Sequence, residues 1–179
     1  MHNKIPKYFT FINSFEKEKI YNLSSKVGII YRNYKVKIDS KKIIEIKNFC
    51  KRLGKKIYLA NDVKLAIRNN LDGVYIPSFN KDKKHLSYSV KKNFIILGSA
   101  HNIYEMRTKE LQNVSAIFLS SIFKKNKNYL GINKFKSLSH LTNKPLIALG
   151  GISNNNIKKL NLTNCHGFAG ITFFEQKNP

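Results

Sequence analysis

Eight short apolar runs recur along the whole chain, and their regular spacing restricts the fold more than any other feature of the sequence. The runs are rich in Ile, Val, Phe and Tyr, and they are continuously apolar, as strands buried on both faces are. Successive runs begin about 17 to 29 residues apart, which is too far for hairpins and suits a strand, a crossover helix and the next strand. They cover residues 8–12, 27–31, 56–60, 73–76, 94–97, 116–119, 145–149 and 167–171.

The segments between these runs carry helical signals. Ile43, Ile46 and Cys50 recur at helical spacing behind a predicted N-cap at Asp39 or Ser40. The segment 81–92 has few apolar positions and only a weak helix pattern. Helices are predicted over residues 15–25 with Ser14 as cap, 41–53, 63–69, 103–111, 132–141 and 156–160.

Strict alternation of eight strands with helices predicts an α/β fold, a (β/α)8 TIM barrel, in a single domain over residues 1–179. The alternative is an open doubly wound sheet, which usually has five or six strands. The chain ends soon after the eighth run, so the last helix is expected to be missing or reduced to residues 172–176. An apolar side of the barrel would then be left for a second subunit, which makes a homo-oligomer possible.

The amino-acid composition limits the classes of ligand and partner that are expected. The net charge is +23, almost all from lysines scattered over every segment, whereas a nucleic-acid surface usually clusters its basic residues on one element. Nucleic-acid binding is therefore disfavoured, and phosphorylated small molecules are the favoured ligands. No apolar run approaches the roughly 20 residues that span a bilayer, and no signal peptide is evident, so a cytoplasmic protein without membrane contact is expected.

A glycine pair follows the seventh run. Gly150 and Gly151 can let an anion approach backbone N–H groups, and a helix after them would add partial positive charge. An isolated glycine pair can also be only a tight turn. In a TIM barrel, however, the loops after strands seven and eight commonly bind phosphate, and Ile171 and Thr172 close the eighth strand. These four residues are the predicted phosphate site.

The residues at the strand ends resemble, in the same order, those of the thiamine phosphate synthase family and its thiazole tautomerase relatives. Each motif alone is weak, whereas six in register are specific. The matching segments are Ile30-Tyr-Arg-Asn-Tyr34, Asn61-Asp62, Gly73-Val-Tyr75, Ser99-Ala-His101, Ser120-Ser-Ile-Phe123 and Ala148-Leu-Gly-Gly-Ile152.

The resemblance implies an enzyme that joins a hydroxymethylpyrimidine pyrophosphate to a thiazole phosphate and releases pyrophosphate. It implies catalytic or substrate-contacting roles for Arg32, Asn61 and Ser99, and Mg²⁺ binding at Asp62. Such chemistry needs cations and a metal ion at the leaving pyrophosphate. Further pyrophosphate contacts are expected from Lys35, Lys125 and Lys127.

The chain also departs from the family pattern, which keeps an alternative open. Ile30 and Tyr34 stand where the family has glutamine and lysine, and Asn80 stands near the expected second metal-binding aspartate, with Asp82 two residues further on. The hydroxyl-bearing loop after strand six has become Lys124-Lys-Asn-Lys-Asn128. The alternative is a catalytically impaired or non-catalytic relative that binds a thiazole phosphate or thiamine phosphate.

Two further residues have local interpretations. Asp62 is a strong candidate for the N-cap of the helix that follows it. His101 has no partner carboxylate that the sequence reveals, so a structural role is expected. The hypothesis of a tautomerase requires an acid–base histidine, and this chain has Ser121 near that position instead.

Overall fold

Eight parallel strands close into a barrel in chain order, each paired with the next and the last paired with the first. The computed structural model describes residues 5–34 and 39–175. The predicted TIM-barrel fold is confirmed. The strands are β1 Tyr8–Ile12, β2 Val27–Tyr31, β3 Ile57–Ala60, β4 Gly73–Ile76, β5 Ile95–Ala100, β6 Ala116–Ser120, β7 Leu146–Leu149 and β8 Gly167–Ala169.

Helices follow most of the strands. Two of the connections are short 3₁₀ helices, Lys84–Ser87 after β4 and Ile157–Leu162 after β7. Among the described residues, no helix is long and apolar enough to cross a membrane. The α-helices are α1 Lys17–Asn22, α2 Ser40–Arg52, α3 Val63–Arg68, α4 Ile103–Leu111, α5 Gly131–Ser139 and α6 Thr172–Glu175.

Helix boundaries test the predicted caps. The Asp39 side chain accepts a hydrogen bond from the Lys41 N–H at the start of α2, as predicted. Ser14 does not cap α1, because its hydroxyl donates to the Glu16 carboxylate at 2.5 Å, and α1 is shorter than predicted at both ends. The predicted reduction of the last helix is confirmed, since α6 has one turn.

Aromatic rings fill the barrel interior. Phe118 is fully buried, and its ring centroid lies 5.0 Å from that of Phe9 and 5.3 Å from that of Tyr75, both near edge-to-face. Gly28 leaves the room that this packing needs, because a Cβ there would come within 2.8 Å of the Phe9 ring. Edge-to-face pairs add to the stabilisation from buried area. The interior is therefore a solid core, and a ligand can bind only at its ends.

The parallel arrangement places every carboxyl strand end on one rim of the barrel. Ala60 pairs with Tyr75 near the ends of β3 and β4, and Leu149 pairs with Ala169 near the ends of β7 and β8. Residues just beyond these pairs therefore emerge side by side on the rim where TIM barrels carry their functional loops.

Removing the central ring of the core tests this packing. The Phe118→Ala variant is expected to lose about 3–5 kcal/mol of unfolding free energy, because it leaves a cavity among the three rings of Phe9, Phe11 and Tyr75. The matched control is Phe79→Ala, whose side chain is 64% exposed and whose loss should stay within about 0.5 kcal/mol. Urea unfolding of both variants measures the difference. Equal losses would contradict the assigned core.

Candidate active site at the rim of the barrel

A wide cleft opens beside the ends of β2, β3 and β4, with a volume of about 900 Å³. The predicted residues Asn61 and Asp62 line it together, and Lys64 and Arg68 of α3 add two cations to its wall. Neither cation was singled out from the sequence, since a lysine or arginine on a surface helix carries no functional signal by itself. The cleft thus combines amide, carboxylate and cationic groups.

Asn61 bonds directly to the residue that replaces the expected second aspartate. The Asn80 side-chain amide donates to Asn61 Oδ1 at 2.8 Å. Asn61 has a φ of 64°, a left-handed conformation that Asn adopts more readily than most residues. The structure therefore joins the β3 and β4 ends through a pair of amides.

Asp62 is the N-cap of α3. Its Oδ1 accepts a hydrogen bond from the Leu65 N–H at 2.9 Å, which leaves Oδ2 for another contact in the cleft. Among the described residues, no group of three or more His, Cys, Asp or Glu side chains could hold a metal ion. Mg²⁺ often takes only one or two carboxylates, with waters and substrate phosphates as its other ligands. The site fits a magnesium ion only in that sense, as one carried by a phosphate ligand.

Arg32 follows β2 and lies against an aromatic ring. Its guanidinium carbon is 5.0 Å from the centroid of Phe11, and its Nε donates to Asn13 Oδ1 at 3.3 Å. The ring holds the cation near the top of the barrel core, because a cation is attracted to the face of an aromatic ring.

Two aromatic side chains at the cleft lie close to each other. Tyr34 and Phe79 are 49% and 64% exposed, and their ring centroids are 5.7 Å apart at an angle of 80°. Partial burial raises the pKa of Tyr34, and the positive charge of Arg32 opposes that rise. The sequence singled out Tyr34 only as a departure from the family lysine, and it did not reveal the pairing.

Ser99 is buried at the end of β5, inside the rim. Its side chain hydrogen-bonds to Tyr75. Burial raises the pKa of Tyr75 strongly, whereas the bond to Ser99 and the positive charge of Arg32 act to lower it. Tyr75 is thus bonded to one of the predicted site residues, Ser99, and lies close enough to a second, Arg32, for that charge to act on its pKa.

The β7 end has the geometry expected of an anion site. Gly150 and Gly151 have φ values of 105° and 76°, and the Gly150 carbonyl accepts from the Lys124 N–H at 3.1 Å. A Cβ on Gly151 would lie 2.5 Å from the Lys124 nitrogen, so only glycine fits there. Within the described part of the chain, the Gly151 and Ile152 N–H groups donate to no protein acceptor. They remain available to an anion.

The β8 end lies beside it. As far as the structure describes the chain, the N–H groups of Ile171 and Thr172 also have no protein acceptor, and β7 and β8 pair up to Leu149 and Ala169. The four predicted phosphate residues are thus on neighbouring loops. Lys125 and Lys127 are exposed on the β6 loop, whose backbone packs against Gly151.

Lys35 lies outside the described residues. The expectation that it contacts pyrophosphate therefore stays a prediction.

His101 does have a partner carboxylate, contrary to the expectation from the sequence. Its Nδ1 lies 2.8 Å from Glu105 Oε2, and its backbone N–H donates to the same oxygen at 2.7 Å. The Asn102 side chain caps α4 by accepting from the Glu105 N–H, so the contact belongs to a capped helix start. The four-residue spacing of His101 and Glu105 was the signal that could have revealed the pair.

Lys109 was missed entirely by sequence reasoning. Its side chain is fully buried beneath the β4 loop, where Nζ donates to the carbonyl oxygens of Pro77 and Asn80, each at 2.8 Å. Burial lowers its pKa to about 8, and the nearby charge of Glu105 opposes the shift. Its spacing of three from Met106 and from Gln112 placed it on the buried face of α4.

The fold and the positions of the polar groups define the class of protein. It is a (β/α)8 barrel with its candidate functional groups at the carboxyl strand ends, including a candidate backbone anion site after the last two strands. The sequence profile described as thiamine monophosphate synthase matches residues 23–174. The chain therefore belongs to this family of thiamine biosynthesis, and the predicted family is confirmed.

Similarity to individual proteins supports the same family assignment. The chain is 33% identical over 142 residues to a thiamine-phosphate synthase of Prochlorococcus marinus, across 75% of this chain and 40% of that protein. It is 28% identical over 140 residues to one of Methanococcus maripaludis, across 74% of this chain and 66% of that protein. A thiamine phosphate pyrophosphorylase structure from Pyrococcus furiosus shares the fold, with a TM-score of 0.74 and 16% identity over 93% of this chain and 86% of that one. The chain thus matches less than two thirds of the length of these two sequence relatives.

The cap and the charge of Asp62 can be separated by two substitutions. Asp62→Ala is expected to lower the unfolding free energy by about 1 kcal/mol, because the Leu65 N–H loses its acceptor. Asp62→Asn keeps an acceptor and should cost less than about 0.5 kcal/mol. Chemical denaturation compares the two. If Asp62→Asn lost as much as Asp62→Ala, the charge and not the cap would be what the fold requires.

Lys109 predicts a pH dependence of stability. With its pKa lowered to about 8 in the folded state, the unfolded chain binds more protons between that value and the ordinary lysine pKa of about 10.4. The unfolding free energy should therefore rise with pH across this window, by roughly 1–3 kcal/mol relative to Lys109→Met. The exposed Lys136→Met serves as the control, and its curve should parallel that of the wild type. Parallel curves for Lys109→Met would contradict the shift.

Proposed function

We propose that this protein is a thiamine phosphate synthase-like enzyme. In the proposed reaction, the C–O bond to pyrophosphate breaks at the methylene of a hydroxymethylpyrimidine pyrophosphate. The nitrogen of a thiazole phosphate then forms the new C–N bond. The observation that supports the proposal is the presence of two separate regions on one rim with groups suited to anions, a polar cleft at β2–β4 and backbone N–H groups without a protein acceptor at β7–β8.

The pyrophosphate is assigned to the β2–β4 side. Arg32, just after β2, is the proposed guanidinium contact, and Asn61, Lys64 and Arg68 line the cleft itself, where the last two supply further positive charge from α3. A planar guanidinium can hold two phosphate oxygens at once, and clustered cations stabilise the charge that builds up on the leaving group. The two helix cations stand in for the lysine that the family signature has after strand two.

Asp62 is the proposed protein ligand of a magnesium ion carried by the pyrophosphate. When bound, the ion would neutralise part of the charge on the departing group. The second carboxylate of the family pattern is replaced by Asn80, whose amide is already bonded to Asn61. Asp39 also lines the cleft, where its side chain caps α2, and a site with so few carboxylates is expected to bind the metal weakly in the absence of pyrophosphate.

The pyrimidine ring is assigned to the aromatic pair at the cleft. The exposed rings of Tyr34 and Phe79 give it an apolar surface beside the cations. Ligand sites commonly combine such a surface with a few polar groups that fix orientation. Ser99 is assigned to the same end through its contact with Tyr75.

The thiazole phosphate is assigned to the β7–β8 loops. Gly150 and Gly151 give an anion close access to the backbone, and Ile171 and Thr172 supply N–H groups from the neighbouring loop. Lys125 and Lys127 are proposed to attract phosphate to the rim as long, exposed cations.

A second candidate function is binding of a thiazole phosphate or thiamine phosphate without catalysis. One observation favours it, the bond between Asn80 and Asn61 at the place where a metal-binding carboxylate is expected. The β7–β8 region has no comparable loss.

An assay of thiamine phosphate formation from both substrates with Mg²⁺ tests the proposal. Turnover is expected, and Arg32→Ala should lower kcat/KM by about a hundredfold or more, because it removes a charged contact to the leaving group. The matched control is Arg52→Ala, an exposed arginine of α2, which should retain wild-type turnover.

The same experiment separates the two candidates. Absence of turnover at high enzyme concentration would reject the catalytic proposal. Calorimetry would then support the binding function if thiazole phosphate still bound and pyrophosphate showed no Mg²⁺-dependent binding.

A further inference from the structure

The loop after β4 is fastened to α4 by buried polar side chains. Gln112, just beyond the end of α4, is fully buried, and its Nε2 donates to the carbonyl oxygens of Asn80 at 3.0 Å and Asp82 at 2.7 Å. Its own backbone carbonyl is 2.8 Å from His85 Nε2 in the same loop. The loop thus has several fixed points along its length.

Lys109 completes this arrangement one helical turn earlier. Its Nζ donates to three oxygens, each at 2.8 Å: the Pro77 carbonyl, the Asn80 carbonyl and Gln112 Oε1. An ammonium group has three N–H donors, so all of them are used. A buried charge that is fully hydrogen-bonded is tolerated, whereas loss of one partner is costly.

The packing around Lys109 leaves room for that side chain. A Cβ on Gly98 of β5 would lie 2.8 Å from Lys109 Cδ and 2.9 Å from Val114 Cγ1. The lysine stem therefore runs over a glycine that gives it space. An apolar residue could fill the same volume without the desolvation free energy that a buried charge costs, but it would offer the loop carbonyls no donor.

Asn80 connects this buried network to the cleft. Its carbonyl accepts from Lys109 and Gln112, and its side-chain amide donates to Asn61 in the candidate active site. Its Oδ1 also accepts from the Asp82 N–H at 2.8 Å, which fixes the orientation of the amide. The buried network thus holds Asn80 through its backbone carbonyl, while the Asn80 side chain contacts Asn61 in the cleft.

We propose that Lys109 and Gln112 are positioning residues, which hold the β4 loop so that the Asn80 amide fixes Asn61 at the pyrophosphate end of the site. Neither side chain contacts the substrate. The assignment of that end to pyrophosphate rests on the proposed function, whereas the positioning of Asn80 does not. Groups that are held by a buried network need no reordering when a ligand arrives.

The first test measures the ligand-free protein. The side-chain amide signals of Asn80, identified by their loss in Asn80→Asp, are recorded by NMR in the wild type and in Lys109→Met. Lys109→Met removes the donors at similar length, and exchange of the Asn80 amide protons with water is expected to rise by about tenfold or more. The control variant Lys136→Met should exchange as the wild type does.

The second test uses steady-state kinetics. Lys109→Met is expected to raise KM for the pyrimidine pyrophosphate by about tenfold or more, because a small misplacement of a contact group has large kinetic effects. KM for the thiazole phosphate should stay within about twofold, because that ligand is assigned to the opposite loops. Simple loss of folded protein would lower the apparent kcat and leave both KM values unchanged.

Gln112→Glu is a second variant, which tests the same role if Lys109→Met does not fold. It keeps the acceptor for Lys109 and replaces the Nε2 donor by an oxygen facing the Asn80 and Asp82 carbonyls. The same changes in Asn80 exchange and in pyrimidine KM are expected. If the variant that folds leaves the Asn80 exchange unchanged, the positioning role is wrong.

The two proposals fail in distinguishable ways. A wild-type protein without turnover rejects the proposed function, and the Asn80 exchange still decides the positioning role. A wild-type enzyme whose two KM values respond equally to Lys109→Met keeps its function and rejects the positioning role.

Discussion

Closure of the barrel by β8 against β1 is the constraint on which the candidate site depends. β8 has three residues, and its pairing with β1 spans only Tyr8 with Phe168 and Phe9 with Ala169. Two further bonds flank it, from the Phe168 N–H to the Lys7 carbonyl and from the Gly170 N–H to the Phe9 carbonyl. β8 also pairs with β7 up to Leu149 and Ala169, so it is held on both sides and its loop begins beside the β7 loop.

Aromatic packing outside the barrel stabilises the pairing of β8 with β1. Phe168 stacks on Phe174 with centroids 5.8 Å apart and contacts Phe173 edge-on at 4.9 Å. The single turn of α6 thus covers part of what a full eighth helix would cover. Phe173 is buried and Phe174 half-buried, so this turn adds apolar area to the packing around β8.

The fold could be predicted from the sequence because each of its main signals is local. Continuous apolar runs mark strands that are buried on both faces, and Asp39 and Asp62 cap helices within three residues of themselves. The segment 81–92 could not be predicted, because its conformation depends on Lys109 and Gln112, about 30 residues further along the chain. Ser14 failed as a cap for a related reason, since the neighbouring Glu16 carboxylate took its hydroxyl.

The two ends of the candidate site were predictable to different degrees. At the β7–β8 end the candidate groups are backbone N–H groups, so the sequence need only have glycine where a Cβ would strike Lys124. At the β2–β4 end the candidate groups are side chains, and several of them come from elements that the strand-end motifs do not include. Lys64, Arg68 and Phe79 reach the cleft from a helix and a loop, which no motif spacing could reveal.

The change from a carboxylate to Asn80 has a physical consequence for Asn61. An aspartate at position 80 would have no donor for Asn61 Oδ1, so the Asn61 amide would have to turn and present its Nδ2, or a cation would have to lie between the two oxygens. The Asn80 amide instead supplies its own donor at 2.8 Å. The contact between β3 and β4 is therefore complete without a shared ion. Asp62 takes no part in this contact, and its hydrogen bond from the Leu65 N–H uses only Oδ1.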